Sequence, residues 1–128
     1  KKFRYTPRTE VKVSIKNIGA TGQKQVIIES LPQPIASKIL LIVRTSEQVS
    51  NLSVSVSDVR WEAEAKPLRE NWYIVSVEKK KSFISSHKLT IDLIPSIVNP
   101  NKEIEYFKIE KIWVLNGYGG KFKVQIAE

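Results

Sequence analysis

The sequence contains no cysteine among its 128 residues. This absence excludes a disulfide framework, zinc-finger and iron–sulfur sites, and a cysteine nucleophile. Methionine is absent as well, and the chain begins at Lys1. Because a full-length protein begins with methionine, we expect an excised domain or a processed product, and a membrane anchor is one candidate for the part that preceded it.

The sequence contains only one histidine, and no recognisable set of catalytic residues. The one histidine, His87, follows two serines in a turn-like segment, and nothing in the sequence predicts a triad around it. Glu62 and Glu64 share a strand face with Arg60 and Lys66, which indicates a solvated charged face. We therefore predict no catalytic residues, no cofactor and no metal site, and a protein that is not an enzyme.

Long apolar runs are also missing. The longest candidate, residues 39–43, is far shorter than the ~20 residues of a membrane span and indicates a buried strand. Hydrophobic residues make up 41% and charged residues 27% of the chain, as in ordinary soluble domains. The sequence predicts a basic arm over residues 1–9 and one domain over residues 10–128.

The net charge of +8 admits several partners, namely nucleic acid, an anionic membrane or an acidic protein. The lysines are scattered rather than clustered, which favours a solubilising role. The best nucleic-acid candidate set combines basic residues with nearby aromatic ones: Lys108, Lys111, Lys121 and Lys123 near Tyr106, Phe107, Trp113 and Tyr118. We do not expect nucleic acid to be the partner.

The strongest pattern in the chain is the alternation over residues 49–66. Leu52, Val54 and Val56 alternate with serines, and the alternation resumes one residue out of phase at Val59. Strict period-two alternation is typical of a strand with one buried face. The change of phase predicts a tight turn or a bulge near Asp58.

Similar patterns predict further strands over residues 10–16, 23–30, 35–45, 71–77, 89–93 and 122–126. Residues 103–115 favour a strand with a bulge over a helix. Glycine or proline marks turns at residues 17–22, 95–102 and 116–120, and Pro67 is expected to end the alternating stretch. The chain is therefore predicted to be an all-β, antiparallel, immunoglobulin-like β-sandwich of about eight to nine strands.

Two of these strands are apolar on both faces, namely residues 39–43 and 72–75. Each strand of a two-layer sandwich buries only one face. A loop, a partner domain or a second copy of the chain must cover the other face, unless irregular packing does so. We predict a protein interface at Leu40, Ile42, Trp72 and Ile74, and expect a homodimer or an adhesive contact.

Asn51, Leu52 and Ser53 form an N-glycosylation acceptor triplet. In an extracellular domain, Asn51 at the entrance of a strand would be an available acceptor.

The segment from Val11 to Gly19, with the tail from Trp113 to Ile126, resembles the ectodomains of archaeal archaellum accessory proteins of the FlaF and FlaG type. The resemblance implies a non-enzymatic, immunoglobulin-like anchor in the cell envelope. It would be held outside the cytoplasm by an N-terminal membrane helix and would bind the surface-layer protein or another envelope protein, as a dimer.

Two other functions stay open. A carbohydrate-binding or cohesin-like module would present Trp61, Trp72, Trp113 and Tyr118 as a flat stacking platform. A single-stranded nucleic-acid-binding domain would show an affinity that falls steeply with salt.

If the two-sided strands mediate self-association, substituting Leu40→Lys or Ile42→Lys will abolish it, because each change places a charge in an apolar contact. Light scattering will then report the monomer mass for both variants and a larger mass for the wild type. An identical mass for all three proteins would contradict the prediction.

Overall fold

The computed structural model describes residues 10–18, 22–31, 36–47, 49–80, 88–99, 101–102, 104–117 and 119–127. Within these ranges the chain forms nine strands and no helix. The strands are β1 (Glu10–Ile18), β2 (Gln23–Glu29), β3 (Ala36–Thr45), β4 (Val49–Val56), β5 (Trp61–Arg69), β6 (Trp72–Lys79), β7 (Leu89–Ile97), β8 (Phe107–Asn116) and β9 (Lys123–Ala127). Nothing in the described ranges is a helix able to cross a membrane.

The strands form two sheets. Sheet A has the order β4-β7-β2-β1-β9, and sheet B has the order β5-β6-β3-β8. The predicted all-β sandwich is confirmed. One strand pair is not antiparallel as predicted: β9 runs parallel to β1, along residues Glu10 to Ser14.

The core lies between the two sheets and follows the period-two alternation of their strands. In β3, for example, Ile39, Leu41 and Val43 are fully buried, whereas the residues between them are half-buried. Other fully buried aliphatic side chains come from five further strands: Val11, Val13, Val26, Ile28, Val75, Val77, Leu89, Ile91, Leu93 and Val114. Removal of this apolar surface from water is the main force that holds the sheets together.

The alternating stretch forms two strands in different sheets, joined by a tight turn over residues 57–60. Buried Asp58 holds this turn. Its carboxylate accepts hydrogen bonds from the Arg60 backbone N–H at 2.9 Å and from Arg60 Nε at 2.9 Å. The side-chain hydrogen bond to Asp58 raises the pKa of Arg60. The change of phase therefore marks the point where the chain crosses from sheet A to sheet B.

Two prolines lie inside strands, contrary to the sequence prediction. Pro95, expected in a loop, belongs to β7 and lies opposite Leu52 of β4. Pairing of β7 with β2 ends at Leu93, so the missing N–H of proline is tolerated beyond that point. Pro67, expected to end its strand, lies in β5, which runs to Arg69 at the edge of sheet B.

The prediction of a bulged strand over residues 103–115 is confirmed by β8. Its pairing with β3 shifts register between Ile42 and Val43, which face Lys111 and Ile109. Glu110 is therefore the extra residue of the bulge. At the expected hairpin over residues 116–120, one isolated bridge joins Leu115 to Lys121. The chain then passes from sheet B to sheet A, where β9 pairs with β1.

Gly22, just before β2, offers a test of the packing at this end of the sandwich. Its φ is +78°, and a Cβ there would lie 2.6 Å from Ile104 Cδ1. Gly120 has a similar φ of +84°, but a Cβ there would meet nothing within 4 Å. Both substitutions to alanine incur the cost of a positive φ, about 1–2 kcal/mol. Because only Gly22→Ala displaces Ile104, we expect it to lower the free energy of unfolding by about 1 kcal/mol more than Gly120→Ala in urea titrations. Equal losses would contradict this packing.

Candidate protein-binding face

The outer face of sheet B, here called the outer B face, is organised by the pairing of β3 with β6 and β8 and of β6 with β5. Residues that pair across neighbouring strands point to the same side of a sheet. The registers therefore place the outward side chains in four rows across β5, β6, β3 and β8. The rows are Glu62-Glu78-Lys38-Leu115, Glu64-Ser76-Leu40-Trp113, Lys66-Ile74-Ile42-Lys111 and Arg69-Trp72-Arg44-Lys108.

The centre of the outer B face is apolar. Leu40 lies opposite Trp113, and Ile42 lies opposite Ile74. All four side chains are half-buried, although no described strand packs over them. In the described part of the chain, the centre is therefore a half-buried apolar patch that no strand covers.

The charges on this face are separated. Glu62, Glu64 and Glu78 form an acidic end, whereas Arg44, Arg69 and Lys108 form a basic end. Each end contains like charges directly opposite one another on neighbouring strands. Glu62 pairs with Glu78, and Arg44 pairs with Lys108. Like charges in these positions destabilise a sheet.

Ion pairs within the chain relieve this repulsion only weakly. Lys38 Nζ lies 3.9 Å from Glu78 Oε2, Lys66 Nζ lies 3.7 Å from Glu64 Oε1, and Arg44 Nε lies 3.6 Å from Glu110 Oε1. All six side chains are about one third exposed or more. Such pairs contribute little to stability because water screens them. The outer B face therefore keeps an acidic end and a basic end.

Cations of the chain cover the tryptophan rings of this face. The guanidinium of Arg69 lies 4.7 Å from the Trp72 ring centroid, and that of Arg44 lies 5.6 Å from it. Lys111 Nζ lies 5.8 Å from the ring centroid of Trp113. These cation–π contacts fix the indoles and leave less ring surface for a stacked sugar.

The prediction of a flat carbohydrate-binding platform is wrong for Trp61. Trp61 is only 2% exposed and belongs to the core, where Lys79 Nζ lies 5.8 Å from its ring. Burial lowers the pKa of Lys79. Because Trp61 pairs with Lys79 and not with an outward residue, it cannot join Trp72 and Trp113 on one surface. Tyr118 lies outside the described residues.

The basic and aromatic set considered for nucleic acid is also divided. Lys108 and Lys111 lie on the outer B face, whereas Lys123 belongs to β9 in sheet A. Phe107 is buried between the sheets. The structure therefore does not bring this set together on one strand face.

The four predicted interface residues do share one surface. Leu40, Ile42, Trp72 and Ile74 all lie on the outer B face. Trp113 also lies on this face but is not among the predicted residues, because the bulge at Glu110 shifts the phase of β8. The charged ends were missed as well, since they combine residues from four strands.

The outer face of sheet A is different in character. Ser53 and Ser55 are exposed on it, and Gln25 Nε2 donates a hydrogen bond to Asp92 Oδ1 at 3.1 Å. Its aliphatic residues, Ile27 and Ile94, lie on different strands, and the registers do not pair them. This polar surface is typical of a solvated sheet face.

The remaining predicted sites occupy separate places. Asn51 is exposed on β4, at the edge of sheet A, and its glycosylation stays a prediction. His87 and the arm over residues 1–9 lie outside the described residues. In the described part of the chain, histidine, cysteine, aspartate and glutamate form no group of three that could hold a metal ion.

No protein-family model matches the sequence, and no curated protein matches it. Several solved structures do share its fold. A type I cohesin–dockerin complex of Clostridium thermocellum, Coh-OlpC with Doc435, matches with a TM-score of 0.61 and 11% sequence identity. That match covers 98% of this chain and 94% of the other.

Two further cohesins give similar matches. A non-cellulosomal cohesin of the archaeon Archaeoglobus fulgidus has a TM-score of 0.55 and 15% identity, and covers 91% of this chain and 86% of its own. The sixth cohesin of scaffoldin B from Acetivibrio cellulolyticus, solved with a Cel5 dockerin, has a TM-score of 0.54 and 11% identity, over 93% and 95%. The chain therefore has a cohesin-like β-sandwich fold.

Proposed function

We propose that the chain is a non-catalytic, cohesin-like module that binds another protein through the outer B face. The observation that carries the proposal is the combination, on one sheet face, of a half-buried apolar centre that no described strand covers with two ends of opposite charge. The similarity to cohesins, some of them solved in complex with dockerin modules, supports a protein partner.

The composition of the face suits a protein contact. Interfaces that bind proteins place aromatic and aliphatic anchors in a central patch that loses its water, with polar groups around it. Leu40, Ile42, Ile74 and Trp113 supply such a patch, and β3, which is paired on both sides, provides a rigid support for it.

The charge separation adds an orientation to the contact. A partner with basic groups over the acidic end and acidic groups over the basic end would relieve the repulsion between Glu62 and Glu78 and between Arg44 and Lys108. Complementary charges of this kind fix the register of a complex and raise its association rate, more strongly at low salt.

The cohesin-like function has more support than the hypothesis of an archaellum accessory protein, because the similar structures described above are cohesins. A surface-layer partner, a position outside the cytoplasm and a homodimer stay predictions. A second copy of the chain would need the same apolar centre, so the mass of the wild type by light scattering, compared with that of Leu40→Lys, shows whether the centre is used for self-association.

The proposal is tested with the immobilised domain, exposed to proteins of the source organism and to a panel of dockerin modules. Ile42→Lys is expected to weaken capture of any specific partner about thirtyfold, since residues at the centre of an interface often contribute about 2 kcal/mol. Affinities are measured by surface plasmon resonance with each captured protein after purification.

Ile27→Lys is the matched control. Ile27 is also a half-buried isoleucine within a strand, but it faces outward from sheet A. A partner that binds the wild type and Ile27→Lys with equal affinity, but binds Ile42→Lys much more weakly, supports the proposal. A partner that tolerates Ile42→Lys would place the contact elsewhere, and the absence of any specific partner would argue against a binding module.

A further inference from the structure

A cleft of about 710 Å³ lies where the end of β1 and the start of β2 approach the start of β8. Sheet A contributes Lys24 from the inner side of the sandwich. Sheet B contributes Phe107 and Ile109 from its inner side and Arg44 and Lys108 from its outer side. The cleft therefore wraps around the edge of β8, next to the basic end of the outer B face.

The charges in the cleft do not balance. Lys24, Arg44 and Lys108 are cationic, and Glu110 is the one carboxylate among the described lining residues. Glu110 lies 3.6 Å from Arg44 Nε. Within the described residues, no carboxylate lies within 4 Å of the Lys24 ammonium, which instead donates a hydrogen bond to Asn17 Oδ1 at 2.6 Å.

Two of these cations, Lys24 and Arg44, are only partly exposed to water. The Lys24 ammonium lies 5.8 Å from the Phe107 ring centroid, and burial lowers the pKa of this lysine. Arg44 Nε is buried, and Glu110 Oε1, at 3.6 Å, forms an ion pair with it but lies beyond hydrogen-bond distance. A buried cationic donor without an acceptor is unfavourable, and an oxyanion would satisfy it.

Three apolar side chains form part of the cleft wall beside these cations. Phe107 is buried, and Ile15 and Ile109 are half-buried against the core. A small inorganic anion would leave this wall without a contact. An anion joined to an apolar body uses both parts of the site, as is usual for small-molecule sites with few polar groups.

We propose that this cleft binds an organic carboxylate. Arg44 Nε and the Lys24 ammonium donate hydrogen bonds to the carboxylate oxygens, and the apolar body of the ligand packs on Phe107 and Ile109. A free small acid and a glutamate side chain of a protein share this chemistry. The site does not rest on the proposed protein partner, because Lys24 lies on the inner side of sheet A.

The test is a titration of the ¹⁵N-labelled domain, followed by NMR at constant ionic strength. Sodium benzoate represents a free acid, and N-acetylglutamate N-methylamide represents a protein side chain. We expect saturable shifts of the amides of Asn17, Lys24 and residues 107–110, with a dissociation constant on the order of 1 mM or below. The probe that binds more tightly identifies the source of the carboxylate.

Lys24→Met is expected to weaken binding about tenfold or more, and Arg44→Met to do the same. Lys12→Met removes the same charge from an exposed position on the outer face of sheet A and is expected to leave binding unchanged. Shifts that sodium chloride reproduces at equal ionic strength, shifts that do not saturate, or equal binding by Lys24→Met and Lys12→Met would overturn the proposal.

Discussion

Strand β3 is held between β6 and β8 by antiparallel pairing on both of its edges, and it carries apolar side chains on both of its faces. Its inward residues Ile39, Leu41 and Val43 are fully buried in the core. The core fixes the alternation of the strand, and that alternation directs Leu40 and Ile42 outward. A slip of one residue would expose the core residues, so the position of the outer apolar centre is a consequence of core packing.

The same registers create the charge distribution around that centre. Glu62 is brought opposite Glu78 because β5 pairs with β6, and Arg44 is brought opposite Lys108 because β3 pairs with β8. Neither arrangement favours the isolated sheet. Both become favourable in a complex with complementary charges, and this gives the two ends of the outer B face a physical role in the proposed contact. The polar outer face of sheet A shows no comparable arrangement.

The sequence allowed the strands and part of the site to be predicted, because both depend on local alternation. Leu40, Ile42, Trp72 and Ile74 do share one surface, because alternation within the apolar segments 39–43 and 72–75 directs them to the same side of sheet B. Their role as a protein interface stays a prediction. The carbohydrate alternative misplaced Trp61, because it grouped the residue by aromatic character. The alternation that resumes at Val59 puts Trp61 on the apolar side of its strand, where the structure has it.

Features that depend on pairing between distant segments could not be predicted from the sequence. The parallel pairing of β9 with β1 joins residues near the two ends of the described chain. Pro95 was assigned to a loop, because its tolerance in β7 depends on where the neighbouring strand β2 stops pairing. The cleft unites Lys24 with Arg44 and Phe107, which lie in three different strands, and no local pattern indicates that they meet.

The central claim is that the outer B face binds a protein, and methyl cross-saturation NMR tests it most directly. The domain carries labelled isoleucine and leucine methyl groups, and a captured partner is selectively saturated. The account predicts that signals of Leu40, Ile42 and Ile74 lose intensity, while those of Ile27 and Ile94 on the outer face of sheet A do not. Loss of intensity at Ile27 and Ile94, with no change at Leu40, Ile42 and Ile74, would contradict it.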